Sequence, residues 1–315
     1  MRLPLIALLA VLGTGVWAQQ APPPAATPQG PARGRGPQAP PPSFSHIKVY
    51  DFATNNVREV FSGDGYLDSP EFSADGKFIR FSSLPNSKLL QVPVAGGAAE
   101  SVGPEGFGWG HDRAHSRDGQ REAAGNFNTT NPIAFLGPHY TDLKEVGGPF
   151  YVQSMSPDGT WLAGSCGGRM CRIAWPGGGA FQMLTSVGGN DNADYSPDGR
   201  FIYFESSRSG KREIWRVPAD GAGPDDSLAE RVSDEEGAAR FPHPSPDGKW
   251  IAFMVAKPGG DARDVTVRII PAPAAKAVPG PSREILTAVG GQGMMHRNSW
   301  SPDSTKLAFA SYEPR

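Results

Sequence analysis

Six times along this chain a short polar turn carrying an Asp runs straight into an apolar strand, and this recurrence constrains the fold more than any other feature. It is clearest from Asp194 to Ser207, Asp-Tyr-Ser-Pro-Asp-Gly-Arg-Phe-Ile-Tyr-Phe-Glu-Ser-Ser. Ser196-Pro197-Asp198-Gly199 has the residues of a type I turn: Ser to accept at the first position, Pro with φ preset at the second, and Gly free to go left-handed at the last. Phe201 to Phe204 is aromatic and β-branched, which suits a pleated half-buried surface and disfavours a helix. The turn Asp recurs as Asp75, Asp118, Asp158, Asp198, Asp247 and Asp303, at separations of 43, 40, 40, 49 and 56 residues. Such spacing fits one four-stranded propeller blade per copy, at about 40 to 50 residues each.

Four positions after each Asp stand Ile79, Glu122, Leu162, Ile202, Ile251 and Leu307, and two further on Phe81, Ala124, Gly164, Phe204, Phe253 and Phe309. One face of each strand is thus filled at period two. The second copy, with Glu122 and Ala124, matches least well. Leu89 to Val94, Glu213 to Val217 and Val265 to Ile270 read as third strands. The last copy has room for only two strands before Tyr312, whereas Ile47 to Tyr50 and Val57 to Phe61 have no turn ahead of them. Together they make one blade, which would close the ring and remove its free edges. The fold expected is all-β, a six-bladed β-propeller of four-stranded blades over 44–315. Insertions at 220–229, 256–264 and 272–281 absorb the two longer spacings.

Forty Gly and 32 Pro in 315 residues agree with a turn-rich β protein. A net charge of −2, from 30 basic and 32 acidic residues, leaves no basic footprint for nucleic acid. Residues 1–18 have the form of a secretory signal: Arg2, an apolar run from Leu5 to Val16 too short to span a bilayer, and a small-residue cleavage site ending at Ala18. Residues 19–43, rich in Pro, Ala, Gln and Gly, read as a disordered tether. Export to the periplasm or beyond, without a transmembrane segment in the mature chain, is the expectation. Cys166 and Cys171 flank Gly-Gly-Arg-Met where two strands should join, so a hairpin-tip disulfide is expected in an oxidising compartment.

With Ser-Pro-Asp-Gly-Lys-Trp-Ile-Ala-Phe at 245–253 and its five relatives in view, the chain resembles the TolB-like propellers built from WD40-like (PD40) repeats, over 44–312. It is most similar to an exported, uncharacterised subgroup, through Phe241-Pro242-His243-Pro244, Asp264-Val265-Thr266-Val267-Arg268 and Gly290-Gly291-Gln292-Gly293 leading into Ser299 to Ser304. The resemblance implies a six-bladed ring, a periplasmic setting and a partner-binding role. The subgroup carries His where this chain has Arg113 and Gln153, so no role of those His is carried over.

In a propeller the residues just ahead of each turn converge on the central channel. They are Asp68 and Glu71; His111, Asp112 and Arg113; Gln153; Asn190, Asp191, Asn192 and Asp194; Arg240 and His243; and His296, Arg297 and Asn298. Together they would form a polar mouth for an envelope protein or a saccharide, on a monomer needing no cofactor. The candidate sites for a divalent cation, Ca or Mn, are His243, His296, Asp191 and Asp194, or the oxygens of Asp191, Asn192 and Asp194 with Asp68 or Glu71. His111 and His115 have a helical ligand spacing that loses its meaning on a strand. A metal-assisted lyase or hydrolase of the oligogalacturonate type, centred on His243 and His296 with His111 able to approach them across the channel, is the competing expectation. Neither a Walker loop, a dinucleotide fingerprint nor a Gly-x-Ser-x-Gly elbow occurs.

Overall fold

The six turns close alike in the computed structural model, which describes residues 44–84, 87–104, 107, 109–126, 134–136, 143–145, 150–176, 178–259 and 263–313. Ser196 Oγ donates to Asp198 Oδ1 at 2.7 Å and accepts the Phe201 N–H at 2.9 Å. Gly199 N–H closes the turn on Ser196 O at 2.9 Å. The hydroxyl–carboxylate bond recurs at 2.5–2.6 Å from Ser73 to Asp75, Ser116 to Asp118, Ser156 to Asp158, Ser245 to Asp247 and Ser301 to Asp303. Five copies end on Gly at φ 68–73°, and Ser304 takes the same left-handed conformation in the sixth at φ 60°. That conformation costs a residue with a Cβ about 1–2 kcal/mol. Ser304 Oγ in return accepts the Asp247 N–H at 3.0 Å, tying two neighbouring turns together.

The strands these turns launch build antiparallel sheets. β1 (Phe44–Asp51) and β2 (Asn56–Asp64) precede the first turn. Blade one is β3 (Leu67–Phe72), β4 (Phe78–Ser83), β5 (Lys88–Pro93) and β6 (Glu100–Val102), and blade two is β7 (Trp109–His115), β8 (Glu122–Asn126), β9 (Ala134–Leu136) and β10 (Leu143–Glu145). Blade three is β11 (Tyr151–Met155), β12 (Trp161–Cys166), β13 (Arg169–Ala174) and β14 (Gln182–Met183). Blade four is β15 (Asn190–Tyr195), β16 (Phe201–Ser206), β17 (Glu213–Pro218) and β18 (Glu230–Arg231). Blade five is β19 (Ala238–Pro244), β20 (Trp250–Ala256), β21 (Asp264–Pro271) and β22 (Arg283–Val289). The weakly matching second copy is therefore a four-stranded sheet like the others.

The expectation of six four-stranded blades needs correction. Five sheets have four strands. The sixth has three, ordered β2-β1-β23 with β23 at Lys306–Tyr312. β1 pairs with β23 from Ser45↔Tyr312 to Asp51↔Lys306, so strands from the two ends of the repeat region share a sheet. The strand missing from it should come from the residues ahead of Ser301, where only an isolated bridge, Trp300↔Leu307, forms. A 3-10 turn at Gln292–Met294 interrupts the segment, whose side chains bond neighbouring blades instead: Ser299 Oγ donates to Pro70 O at 2.8 Å, and Trp300 Nε1 to His243 O at 2.9 Å.

Apolar clusters fill the spaces between sheets. The strand after each turn buries one face throughout, with Ile79, Phe81, Ile202, Phe204, Ile251 and Phe253 at 0% exposure. Phe81 belongs with Ile47, Val49 and Ala310, and Phe309 with Phe241 and Val267, so the sixth sheet shares a core with blades one and five. Each such side chain contributes about 1.5–3 kcal/mol on burial. Cys166 and Cys171 form the expected disulfide, Cα to Cα 5.9 Å, across the β12–β13 hairpin. The expected leader at 1–18 and tether at 19–43 lie outside the described residues.

Each first strand of the five four-stranded blades carries a register shift: between Asp68 and Glu71, Trp109 and Arg113, Val152 and Ser154, Asp191 and Asp194, and Arg240 and His243. Ser69, Asn192 and Phe241 sit in these irregularities at φ 55–56°. A bulge breaks the alternation of side chains and re-aims them. β3 is accordingly buried along its whole length, charges included.

Candidate functional site

A cavity of about 380 Å³ opens at the end of the channel where the six turns stand. Its mouth is built from one position of the repeat, the second residue of each turn: Ala74, Arg117, Pro157, Pro197, Pro246 and Pro302. Arg117 is the charged member, and its Nη2 reaches across to donate to Pro246 O at 3.1 Å. Deeper, the walls are Glu71, Arg113, Gln153, Asp194, Arg297 and Asn298, all from the segments ahead of the turns.

These deep residues are bonded from blade to blade. Arg113 Nη1 pairs with Glu71 Oε1 at 3.0 Å, and His115 Nε2 approaches Glu71 Oε2 at 3.5 Å. Burial works against the Glu71 charge, but Arg113 and His115 outweigh it and hold the carboxyl at about 2. Burial likewise opposes charge on His115, and Glu71 overcomes it, pushing the ring up to about 9. Gln153 Nε2 donates to Asp191 Oδ1 at 2.6 Å, while its Oε1 accepts the Ala193 N–H at 2.9 Å. Asp194 accepts from Ser154 Oγ at 2.8 Å and from Asn298 Nδ2 at 2.9 Å, and lies 3.2 Å from His243 Nδ1. His243 Nε2 donates to Met295 O at 2.7 Å, so both its ring nitrogens are engaged.

Arg297 is the hub. It is 3% exposed, and its guanidinium donates to His111 O, to Gln153 O and, at 3.2 Å, to Val152 O. One side chain from the last repeat thereby ties blades two and three. Burial lowers its pKa to about 10, against the opposing pull of Asp112, whose Oδ1 lies 3.9 Å from Nη2.

A second group of side chains lies off the cavity wall, next to Arg297. The ligand atoms of His111, Asp112 and His296 all lie within 4.8 Å of one another. The His111 and His296 rings are 4.3 Å apart, and Phe241 packs on His296 at 5.2 Å. His111 Nδ1 is 3.3 Å from Asp68 Oδ2. Burial opposes protonation of His111, yet Asp112 and Asp68 prevail and raise it above its ordinary value. Burial raises the Asp112 carboxyl and, with the neighbouring positive charges, drives His296 well below the usual imidazole range.

The channel residues read from sequence thus divide. Glu71, Arg113, Gln153, Asp194, Arg297 and Asn298 line the cavity, and Asp191, through Gln153, and His243, through Asp194, support it from behind. Asp68, His111, Asp112 and His296 form the second group. Arg240 and Asn192 face neither: both bond Glu205, which is fully buried and also takes Arg212. Asn190 is fully buried and bonds the 185–187 loop, donating to Thr185 Oγ1 at 2.9 Å and Val187 O at 2.7 Å. Of the ligand set expected on His243, His296, Asp191 and Asp194, His243 stands at Asp194, Asp191 at Gln153, and His296 beside His111 and Asp112. His111 and His115 serve different carboxylates, as a strand placement requires. By sequence the turns are chemistry repeated for structural reasons, yet one fixed position of all six repeats lines the cavity mouth.

No family profile matches the chain. The uncharacterised protein Atu1656 of Agrobacterium fabrum (strain C58) is 31% identical over 289 residues, covering 86% of this chain and 93% of its own length. A solved structure from Agrobacterium tumefaciens, a TolB candidate, superposes with a TM-score of 0.75 at 28% identity, over 88% of this chain and 100% of that one. TolB from Acinetobacter baumannii superposes at 0.52 with 16% identity, over 87% of this chain and 64% of that one, a likeness of fold. The structural neighbours are TolB-like β-propellers.

Proposed function

We propose, for a protein that belongs to the family of the Agrobacterium fabrum protein Atu1656, a non-enzymatic, envelope-associated binding role in which the turn-lined mouth receives a segment of a partner protein. The observation that carries this reading is the mouth itself: all six turns lend it their second residue, so the repeat that makes the fold also makes an apolar, proline-rich collar. Rigid prolines lose little entropy on binding, and the charged floor supplies orientation. The collar stands where the six repeat turns meet, on a propeller of five four-stranded blades and one three-stranded sheet.

The setting we infer is the periplasm. The reading takes 1–18 as a leader cleaved near Ala18, 19–43 as a tether and 44–315 as a monomeric propeller. The Cys166–Cys171 disulfide favours an oxidising compartment, and the solved TolB-like neighbours favour an envelope role. No helix of the described residues is long and apolar enough to cross a membrane. The lyase or hydrolase alternative gains nothing from His243, whose ring nitrogens are both committed.

A photo-crosslinking residue placed at Pro197 or Arg117 in cells tests this function, with Val278, 76% exposed and outside the mouth, as the control position. Discrete protein adducts from the mouth positions alone are the expected result. Adducts equally from Val278, or saccharide in their place, would overturn the protein-partner reading.

A further inference from the structure

The cavity explains the residues that line it but leaves the His111–Asp112–His296 group without a task. His296 is the anomaly. It is 7% exposed, and neither ring nitrogen has a hydrogen-bond partner, whereas buried polar atoms are nearly always paired. Packing against Phe241 and His111 accounts for the ring's faces and not for its nitrogens. A side chain needed only for packing would not retain two unsatisfied polar atoms.

We propose that His111, Asp112 and His296 bind a divalent transition-metal cation of the zinc class, with a coordination position left open to the channel. Three ligand atoms, two imidazole nitrogens and a carboxylate oxygen, already lie within 4.8 Å of one another. Bonds of about 2.0–2.2 Å would draw them in by roughly 1 Å, a motion that His296, held by no hydrogen bond, can make. Asp68 Oδ2 lies 3.3 Å from His111 Nδ1, behind the ring. A carboxylate behind a ligand His is the arrangement that fixes the tautomer and orientation of such a ring.

The local charge agrees. Glu71 is matched by Arg113 at 3.0 Å, Asp68 stands against His111 at 3.3 Å, and Arg297 comes no closer to Asp112 than 3.9 Å. Arg297 does not depend on Asp112, since three backbone carbonyls already take its donors. The Asp112 carboxylate can therefore turn to a cation without orphaning its neighbour. Two imidazoles in the set favour zinc and its neighbours over calcium, which takes oxygen ligands. Three protein ligands leave a fourth position for water or an anionic oxygen, the pattern of an open rather than a closed site. His111, with a side chain 20% exposed, gives solvent access to it.

The test uses the full mature chain without a polyhistidine tag, stripped with a chelator and titrated with zinc(II) by calorimetry, and with cobalt(II) by visible absorption. One equivalent should bind, with ligand-field bands of a low-coordinate cobalt ion. Asp68→Asn should weaken zinc about 10–100-fold, and His296→Asn and Asp112→Asn should each weaken it more. His46→Gln, remote on β1 beside Glu59 and Glu313, should leave the affinity within twofold. Thermal melts of every apo variant establish folding, and Asp112→Asn, isosteric with the native residue, stands in if His296→Asn does not fold. Absence of binding by the wild type, equal binding by the ligand variants, or loss in His46→Gln would each overturn the site.

Discussion

The turns of the repeat and the segments just ahead of them are adjacent in sequence and differ in how they are specified. In the turns one Ser–Asp hydrogen bond is made six times between residues two apart, near the surface. In the segments ahead of them no bond is repeated, and most cross to another blade: Asp68 to His111, Ser154 to Asp194, Asp194 to Asn298, Arg297 to Gln153. The fold is thus encoded locally and redundantly. The channel is encoded once, by partners that only assembly of the sheets brings together.

The sharpest way to break this contrast is to remove the hub. Arg297→Ala orphans three buried carbonyls and uncovers Asp112, and should cost about 3–5 kcal/mol in urea unfolding, the range for breaking a buried charged partnership. Arg297→Lys should recover only part of it, because an ammonium cannot span three acceptors in a plane. A loss below about 1 kcal/mol for Arg297→Ala, the size of one ordinary hydrogen bond, would show that the channel is no more cooperative than a turn.

Stability against pH should separate the regions next. Glu71, held at about 2 against an ordinary 4.5, contributes stability that is complete above 4.5 and is lost as pH falls toward 2. His115, raised from 6.5 to about 9, contributes stability that is complete below 6.5 and is lost as pH rises through 9. The expected profile has a plateau between these limits, and His115→Gln should flatten its alkaline limb in chemical denaturation across pH. An unchanged alkaline limb would place that titration elsewhere.

Additivity supplies a finer measure. Asp194→Asn and His243→Ala, in direct contact, should show a coupling of about 0.5–3 kcal/mol in a double-mutant cycle. Ser196→Ala should cost about 1 kcal/mol, the value of a modest hydrogen bond, and its sum with Ser245→Ala should hold within about 0.5 kcal/mol. Strong coupling between those two serines would mean that the turns communicate around the mouth, as the Ser304–Asp247 bond does between two of them.

Sequence reading reached the channel residues as a set but not their pairings. Of the three His expected near one another across the channel, His111 and His296 have rings 4.3 Å apart, and His243 stands at Asp194. The period of the repeat predicts which residues precede each turn, whereas the bulges that aim them, at Ser69, Asn192 and Phe241, have no signature in hydrophobic alternation. Gly164 makes the same point. It stands where four copies have Phe, and a Cβ there would overlap Tyr151 O and meet the Phe150 ring at 3.0 Å, so an aromatic from ahead of the turn fills the space.

By itself the sequence determined the turns, the strands after them and the disulfide. Each of these depends on residues close along the chain, whose backbone preferences act before any sheet has formed. Tertiary structure decided that the sixth sheet has three strands, that Arg297 joins blades two and three, and that His111, Asp112 and His296 come together. Those outcomes depend on groups far apart in sequence, whose meeting is set by sheet twist, bulges and packing between blades, and no local pattern records them.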